Sequence, residues 1–574
     1  MPAGDQGIIA TRAYDVLSVH TPLVGQYSLV STVTGHLTYS PGPMLYWLIA
    51  LPARFGAPQT IALTMGLANV LAVLGIVALA RRRGGAVLML AVALATALMC
   101  RSFMSEALHD PWNPSAGLLP FALLVFLCWS LACGDHRLLP IVALVGSFAA
   151  QCQLAFLAPT VGLLAIGSIG LAVSRRMGRA KGRLWPWALA AAGVLAVCWT
   201  PPLIDQIEHS PGNLKLLYRA ATVQTNTMGT TAGARAVIRA VGITPRWLRL
   251  PGDPFDDRLG DVSSAPGALL TGSCVALLAA LLAAALAGVW RRRLDIVSAA
   301  AIGLWLCAAL AAIAAGTPVS SFKVLGYTLW WGSVAGMWVW LTLAFCAVTL
   351  AREGIAWRRE GISPRRSHPQ RSHLQSSDSQ WSHPQSSDPQ LSQPQPSPPG
   401  PPRGSVLAGV LGLGAALAVG SAVAAGQPSD AHRPEYAPIA SIASQLRAAK
   451  IPRASTVWLR SSLGGVASPL SQSVKFLLRR EGLRVLQYGA TARLGPWYEI
   501  DHRRYDDTVY AYDRFPPHDK RARVIARVTM GQPEGLPAAR PLGVPFRVRP
   551  VVVSLAPAGE RGGEAARRLA GAGR

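Results

Sequence analysis

Long apolar segments separated by short polar loops fill most of the chain. A segment of about 20 residues is long enough to cross the hydrocarbon core of a bilayer as a helix. The pattern therefore predicts a polytopic α-helical membrane protein with about ten transmembrane helices. The segments span residues 59–80, 85–100, 116–133, 138–150, 154–173, 184–200, 268–290, 294–315, 325–350 and 406–425. A shorter apolar segment at 43–55 predicts a juxtamembrane or re-entrant helix.

Two regions depart from this pattern. Residues 351–403 are rich in Pro, Gln and Ser and cannot bury a core, so we expect a disordered linker there. Residues 426–574 predict a small α/β domain, with helices at 439–450 and 472–481 and strands at 456–459, 484–488, 508–512, 524–528 and 551–555. The predicted order is an outer loop (1–58), a multi-span module (59–350), the linker, a last transmembrane helix (404–425) and the α/β domain.

Composition strengthens the membrane prediction. Hydrophobic residues make up 51% of the chain and charged residues only 14%, against about 25% charged in ordinary soluble domains. A net charge of +26 would by itself favour a nucleic-acid partner. However, basic clusters at 81–83, 175–183 and 291–293 lie in short loops, as expected for cytoplasmic loops of a membrane protein. We therefore expect these loops to meet anionic lipid headgroups, and we expect no nucleic-acid partner.

The basic loops also predict an orientation in a cell (plasma) membrane. With 81–83 in the cytoplasm, alternation of the predicted helices places every strongly basic short loop on that side. The linker is then cytoplasmic, whereas residues 1–58, the loops 101–115 and 201–266 and the α/β domain are extracytoplasmic. Residues 1–58 must cross the membrane, either unaided or, as we expect, behind a further helix that precedes Met1.

The predicted outer loop holds the most informative polar residues. Asp5 begins the run DQGIIATRA at 5–13, and the Ser-Pro-Gly-Pro turn at 40–43 precedes the short apolar segment. These motifs resemble the first outer loop of GT-C-fold membrane glycosyltransferases that use polyprenyl-phosphate sugars. The resemblance is to dolichyl/polyprenyl-phosphate-mannose and aminoarabinose transferases (glycosyltransferase family 39-like). Residues 112–114 and 201–213 are similar, more weakly, to an actinobacterial-type branch.

The resemblance implies that Asp5 is the catalytic base, which takes a proton from the acceptor. Gln6 stands where many family members have Glu, so we assign no second carboxylate to that position. Arg12, about two helical turns beyond Asp5, and Lys323, on the outer side of the predicted topology, are candidates for binding the leaving phosphate. The alternative for the two cations is snorkelling at the interface, and for Asp5 it is a solvated position.

Further polar residues are candidates for the substrate cavity. His36 lies near the turn, and Asp205 and Gln206 begin the largest outer loop. A surface position is the alternative for His36. An acidic cluster offers oxygen ligands for a divalent cation, but its spacing fits no known loop and a solvated turn is favoured; the cluster comprises Asp253, Asp256, Asp257 and Asp261. No Cys-x-x-Cys spacing occurs, so we assign no metal ligand.

The function that follows is an integral membrane glycosyltransferase. It would move a sugar from a polyprenyl-phosphate donor to a glycan, lipid or protein acceptor of the cell envelope, with inversion. Two alternatives stay open: a transporter or flippase for an envelope lipid, and a non-catalytic membrane scaffold. Against transport, the apolar segments hold almost no ionisable residues of the kind that line transport paths.

Overall fold

The computed structural model describes residues 2–28, 30–57, 59–103, 105–223, 226–249, 262, 264–319, 325–362, 433–452, 454–463, 469–501, 503–513, 516–529 and 550–558. The described residues form a large helical bundle and a five-stranded sheet with its own helices. Four predictions lie outside them in whole or in part: Lys323, the acidic cluster at 253–261, the linker beyond residue 362 and the last transmembrane helix at 404–425.

The helices before the sheet are α1 (Asp5–Asp15), α2 (Ser31–Thr34), α3 (Met44–Phe55), α4 (Thr60–Arg101), α5 (Asn113–Ala116), α6 (Leu118–Ala132), α7 (Leu139–Cys152), α8 (Leu157–Arg176), α9 (Trp185–Glu208), α10 (Asn213–Val223), α11 (Gly229–Val241), α12 (Ala268–Trp290), α13 (Leu294–Gly316), α14 (Leu325–Thr328) and α15 (Gly332–Ile362). Single 3₁₀ turns lie at Ser105–Leu108, His136–Leu138, Leu154–Phe156, Arg246–Leu248 and Pro496–Tyr498. The short helix expected at 43–55 is α3.

Seven helices of the described residues are long and apolar enough to cross a membrane. They are Thr60–Arg101, Asn113–Ala132, Leu154–Arg176, Trp185–Glu208, Ala268–Trp290, Leu294–Gly316 and Gly332–Arg352. Large apolar side chains on α4 are exposed at helical spacing, as expected for a surface that faces lipid; they are Leu63, Leu67, Leu71 and Leu74. The structure is therefore compatible with a membrane protein, although it does not establish the predicted number of about ten spans.

The first of the seven helices reverses direction at a glycine pair. Gly84 and Gly85 have non-helical backbone angles, and Gly85 has a φ of 68°, which favours glycine. Val77 and Met89, on opposite sides of the pair, share one buried cluster with Ala93. In a straight helix Val77 and Ala93 would lie about 24 Å apart along the axis, so the chain folds back here. The two halves correspond to the separate segments expected at 59–80 and 85–100.

The basic loops converge on one end of the bundle, which we call the basic end. Arg82 forms an ion pair of 2.8 Å with Asp135, which precedes α7, and Arg83 pairs with the same carboxylate. Arg179, after α8, donates to the carbonyl oxygen of Arg292, before α13, at 2.8 Å. The structure thus brings together the loops that the charge pattern placed on one side.

Helix α15 is longer than the sequence pattern indicates. It continues to Ile362, into the region expected to be a disordered linker from residue 351. Its last part contains Arg, Glu and Ala residues that favour a helix. Pro364 follows two residues later, and a proline disfavours helical geometry at the residue before it. The rest of the predicted linker lies outside the described residues.

The C-terminal unit contains helices α16 (Arg433–Ala448), α17 (Leu470–Arg480) and α18 (Thr491–Leu494). Its strands are β1 (Thr456–Ser462), β2 (Arg484–Leu486), β3 (Asp507–Tyr512), β4 (Arg523–Thr529) and β5 (Pro550–Pro557), in the order β2-β1-β3-β5-β4. The pairs β1–β2 and β1–β3 are parallel, whereas β5 runs antiparallel to β3 and β4. Each predicted strand and both predicted helices are present, so the prediction of an α/β unit is confirmed.

Helix α17 packs on two surfaces at once. Val474 and Leu477 face the sheet, in the same buried cluster as Val457 of β1. Phe476, fully buried, instead joins the cluster of Ile9 and other residues of α1 and α3. The C-terminal unit is therefore docked on α1 and α3, and we call this contact the α1 interface.

A glycine allows α1 and α17 to approach closely. A Cβ atom on Gly7 would lie 2.8 Å from the backbone carbon of Gln472, closer than side chains tolerate. Gly193, in α9, has no atom within 4 Å of the same position. Both glycines therefore lie within helices, but only Gly7 is in close contact with a neighbouring backbone.

We expect Gly7→Ala to lower the melting temperature of the detergent-solubilised protein, since the methyl group would force α1 and α17 apart. Alanine is favoured over glycine in a helix by about 1 kcal/mol, so the matched Gly193→Ala should leave the melting temperature unchanged or raise it. Equal melting temperatures for the two variants would show that α1 and α17 are not in close contact.

Candidate functional site

Helix α1 presents Asp5 and Arg12 on one face. They are seven positions apart, which corresponds to almost two full helical turns and about 10 Å along the axis. The side chain of Asp5 is half-exposed. The backbone N–H of Gly4, just before the helix, donates to the carbonyl oxygen of Pro469 at 3.1 Å. The C-terminal unit therefore fixes the start of the helix that carries Asp5.

The cation closest to Asp5 among the described pairs comes from the C-terminal unit. An Nη1 atom of Arg493, in α18, lies 3.5 Å from an Oδ1 atom of Asp5, and about half of each side chain is exposed. Arg493 was not predicted from the sequence, because nothing distinguishes it from the other arginines of that unit until the fold is known. A half-exposed carboxylate next to a half-exposed guanidinium is accessible to a substrate from solvent.

Aromatic side chains line the same region. The Asp5 carboxylate lies close enough to Tyr46 and Tyr327 to interact electrostatically with both phenols. The ring of Trp112 packs at 4.7 Å from that of Tyr327 and at 5.8 Å from that of Trp330. Residues 112–114, which carry the weaker sequence resemblance, therefore lie near Asp5 in the fold.

Arg12 is held by the α1 interface. Its Nη1 atom donates to the carbonyl oxygen of Leu494 at 2.6 Å. The guanidinium also interacts electrostatically with the phenols of Tyr39 and Tyr46. Arg12 therefore ties α1 to the C-terminal unit while it faces the aromatic region, and its role in phosphate binding stays a prediction.

Gln6 lines a cleft beside α1. Its side chain is buried, and its Oε1 accepts from the backbone N–H of Ala3 at 3.4 Å. The cleft encloses about 330 Å³ of space open to solvent, and its lining includes His109, Asp110 and Tyr436. It lies where α1, the start of α4, the loop after α4 and helix α16 meet. A buried amide thus follows Asp5 at this position.

The Ser-Pro-Gly-Pro turn packs against Gln151 at the end of the bundle opposite the basic end. A Cβ atom on Gly42 would overlap the Gln151 amide, so a larger residue would displace that side chain. Gln151 Nε2 donates to the carbonyl oxygen of Cys198 at 2.8 Å. The backbone N–H of Gly25 donates to the carbonyl oxygen of Ser40 at 3.0 Å. The turn thus anchors the loop that follows α1 on α7 and α9.

Asp205 and Gln206 hold the start of α10. Asp205 Oδ2 accepts from the backbone N–H of Asn213 at 3.0 Å, and Gln206 Oε1 accepts from that of Lys215 at 3.1 Å. These N–H groups have no partner within the helix, so the two side chains act as caps. The Asn213 amide makes two bonds to the backbone of Tyr39, at 2.8 and 3.1 Å. The structure supplies a structural role for both, and their prediction as cavity residues stays untested.

His36 lies on the turn that follows α2. His36 is exposed, and its backbone N–H donates to Thr34 Oγ1 at 3.3 Å. No described contact joins its ring to Asp5, and a role in the cavity stays a prediction. Within the described ranges, no group of three His, Cys, Asp or Glu side chains is arranged to hold a metal ion.

A buried group of charged and polar side chains holds the C-terminal end of α1. Asp15 is fully buried, accepts from Tyr498 Oη at 2.7 Å and pairs with Arg479 at 3.1 Å. Burial raises the pKa of the Asp15 carboxyl, and Arg479 and Tyr498 partly offset this effect. Removal of one partner would leave a charged or polar group buried without its bond.

We expect Tyr498→Phe to destabilise the protein by about 1–3 kcal/mol, because the Asp15 carboxylate loses a buried hydrogen-bond donor. Tyr488→Phe is the matched control, since that side chain is 79% exposed. The measurement is thermal unfolding in detergent, followed by circular dichroism. An unchanged melting temperature for Tyr498→Phe would contradict this hydrogen bond.

Lys475 is a second buried charge at the α1 interface. It is 2% exposed, and its Nζ donates to Gln472 Oε1 at 2.8 Å. Burial lowers the pKa of Lys475 to about 7, Arg493 adds to the effect and Glu499 opposes it. The folded protein therefore binds this proton less tightly than the unfolded chain, whose lysine keeps its ordinary pKa of 10.5.

The unfolded chain binds more protons between about pH 7 and about pH 10.5, so we expect Lys475 to make stability rise with pH across that interval. The slope from this group is at most about 1.4 kcal/mol per pH unit. Lys475→Met should remove it, which melting temperatures measured from about pH 6 to about pH 9.5 can detect. Parallel curves for the wild type and Lys475→Met would show that the lysine keeps an ordinary pKa.

The chain was compared with family models, with curated proteins and with solved structures, and none of them matches it.

Proposed function

We propose that the protein is an integral membrane glycosyltransferase that moves a sugar from a polyprenyl-phosphate donor to a cell-envelope acceptor. The observation that carries the proposal is the placement of Asp5, half-exposed beside Arg493 and on the same helix face as Arg12. An apolar bundle that is compatible with a membrane lies directly beneath this helix. A base, cations and an apolar surface for a lipid chain are the elements that such a transfer requires.

The base and the cations each act at a defined step of the proposed reaction. The Asp5 carboxylate accepts the proton of an acceptor hydroxyl while the acceptor oxygen bonds to the anomeric carbon of the sugar. The bond from that carbon to the phosphate oxygen breaks at the same time, and the phosphate leaves with the bonding electrons. Cations near the leaving oxygen stabilise its charge. Attack opposite the leaving group inverts the anomeric centre.

The proposed setting is a cell (plasma) membrane with the basic end of the bundle in the cytoplasm. Asp5, the α1 interface and the C-terminal unit would then be extracytoplasmic, where envelope acceptors are found. Asp, Glu, Lys, Arg and His residues of the described candidate spans lie only near helix ends or at the Gly84–Gly85 reversal. This distribution favours a transferase, because transporters place ionisable groups along a path through the membrane.

We expect Asp5→Asn to lower sugar transfer at least about 100-fold, because loss of a general base typically costs between 10²- and 10⁴-fold. A strain without the gene is complemented with the wild type or the variant, and its glycans and lipid-linked sugars are profiled by mass spectrometry. The variant should accumulate the lipid-linked donor at a normal membrane level.

Asp519→Asn is the control, because this carboxylate lies in the turn before β4 and pairs with the neighbouring Arg521. It should restore the glycan fully. Full restoration by Asp5→Asn would remove Asp5 as the base. If deletion of the gene changes only the sidedness of a lipid, the transport alternative replaces the transferase.

A further inference from the structure

Arg12 and Arg493 bring two guanidinium groups to the region around Asp5. Arg12, Lys475 and Arg493 lie at or beside the α1 interface, and Lys475 is close enough to Arg493 for their charges to interact. Lys475 is buried and, because its pKa is lowered to about 7, is only partly protonated near neutral pH, so the two arginines supply most of the positive charge. Such a group of cations attracts an anion.

The nearby carboxylates other than Asp5 are already bonded. Glu499 accepts from the backbone N–H groups of Gly489 and Thr491 and from the Thr491 hydroxyl, at 2.7, 2.9 and 2.9 Å. Asp15 is bonded to Tyr498 and Arg479. Asp5 therefore remains as the carboxylate that faces Arg493.

The contact between Asp5 and Arg493 is weak enough for another anion to replace Asp5 as the partner of the guanidinium. It is a single approach of 3.5 Å, longer than a strong charge-assisted hydrogen bond, and both side chains are half-exposed. An exposed pair of this kind is weak because water and salt screen it. A guanidinium binds a phosphate more strongly, since it can donate two parallel hydrogen bonds to two oxygens.

We propose that Arg493 binds the phosphate ester of the substrate, so that its guanidinium leaves Asp5 and engages the phosphate when substrate enters. This inference rests on the proposed function and deepens it. The exchange frees the Asp5 carboxylate to accept the acceptor proton only when the phosphate is in place. Arg12 is less suited to this role, because one of its nitrogens is bonded to the Leu494 carbonyl oxygen.

The C-terminal unit then contributes directly to the active site. Arg493 belongs to α18, whereas Asp5 belongs to α1, so the site is complete only when the two are docked. A phosphate ester is present in the lipid donor and could also be present in the acceptor. The experiment below separates these two sources.

The test compares Arg493→Ala and Arg493→Lys with the wild type and with Arg523→Ala, whose exposed side chain lies on β4. Binding of undecaprenyl phosphate and of undecaprenol to the full-length protein in detergent is measured by native mass spectrometry. We expect Arg493→Ala to bind undecaprenyl phosphate at least tenfold more weakly and undecaprenol unchanged. Arg493→Lys should retain part of the affinity, and Arg523→Ala all of it.

Kinetics identify the source of the phosphate. A rise of about tenfold in the KM for the lipid donor, with the KM for the acceptor unchanged, assigns the contact to the donor. A rise in the acceptor KM alone, for a phosphorylated acceptor, assigns it to the acceptor. Either result supports phosphate binding by Arg493.

Other outcomes overturn the inference. Wild-type affinity and wild-type KM values in Arg493→Ala would leave the arginine without a role in binding. Equal weakening of undecaprenyl phosphate and undecaprenol would indicate a structural role for the residue. If the wild type neither binds undecaprenyl phosphate nor transfers a sugar, the proposed function itself fails, whatever the variants do.

Discussion

The burial of α1 between the helical bundle and the C-terminal unit is the constraint on which the site depends. An isolated helix of this length is only marginally stable in water, so tertiary contacts must hold it. Ile9 and Ala13 face the cluster that contains Phe476, and Ile8 faces Leu494 and Tyr498. Because α1 is covered on several sides, its buried polar groups need partners within the protein, and Asp15 finds them in Arg479 and Tyr498 of the C-terminal unit.

The loop after α1 is fixed by a second set of contacts, made with the bundle. Gly42 against Gln151 and Asn213 against Tyr39 hold the loop on α7, α9 and α10. Asp205 and Gln206 in turn hold the start of α10. Asp5 thus lies on a helix that is supported from the C-terminal unit at its start and followed by a loop anchored on the bundle.

Local structure was predictable where periodicity or charge carries the signal. The five strands, the division between the segments at 59–80 and 85–100 and the grouping of the basic loops all follow from patterns over a few neighbouring residues. The site was less predictable, because its contacts join distant positions: Arg12 and the Leu494 oxygen are 482 residues apart. Asp205 and Gln206 show the same limit, since their capping bonds depend on a turn that polarity alone does not reveal.

The order of synthesis gives the α1 interface a further consequence. A ribosome makes α1 before it has made the 454 residues that separate the two helices, from Val16 to Pro469, which takes about 20–90 s at ~5–20 residues per second. During that time Asp15 and the apolar face that later meets Phe476 lack their covering. A nascent or prematurely terminated chain therefore exposes a surface that quality-control proteases can recognise. Docking of α17 would then act as a checkpoint for completion of the polypeptide.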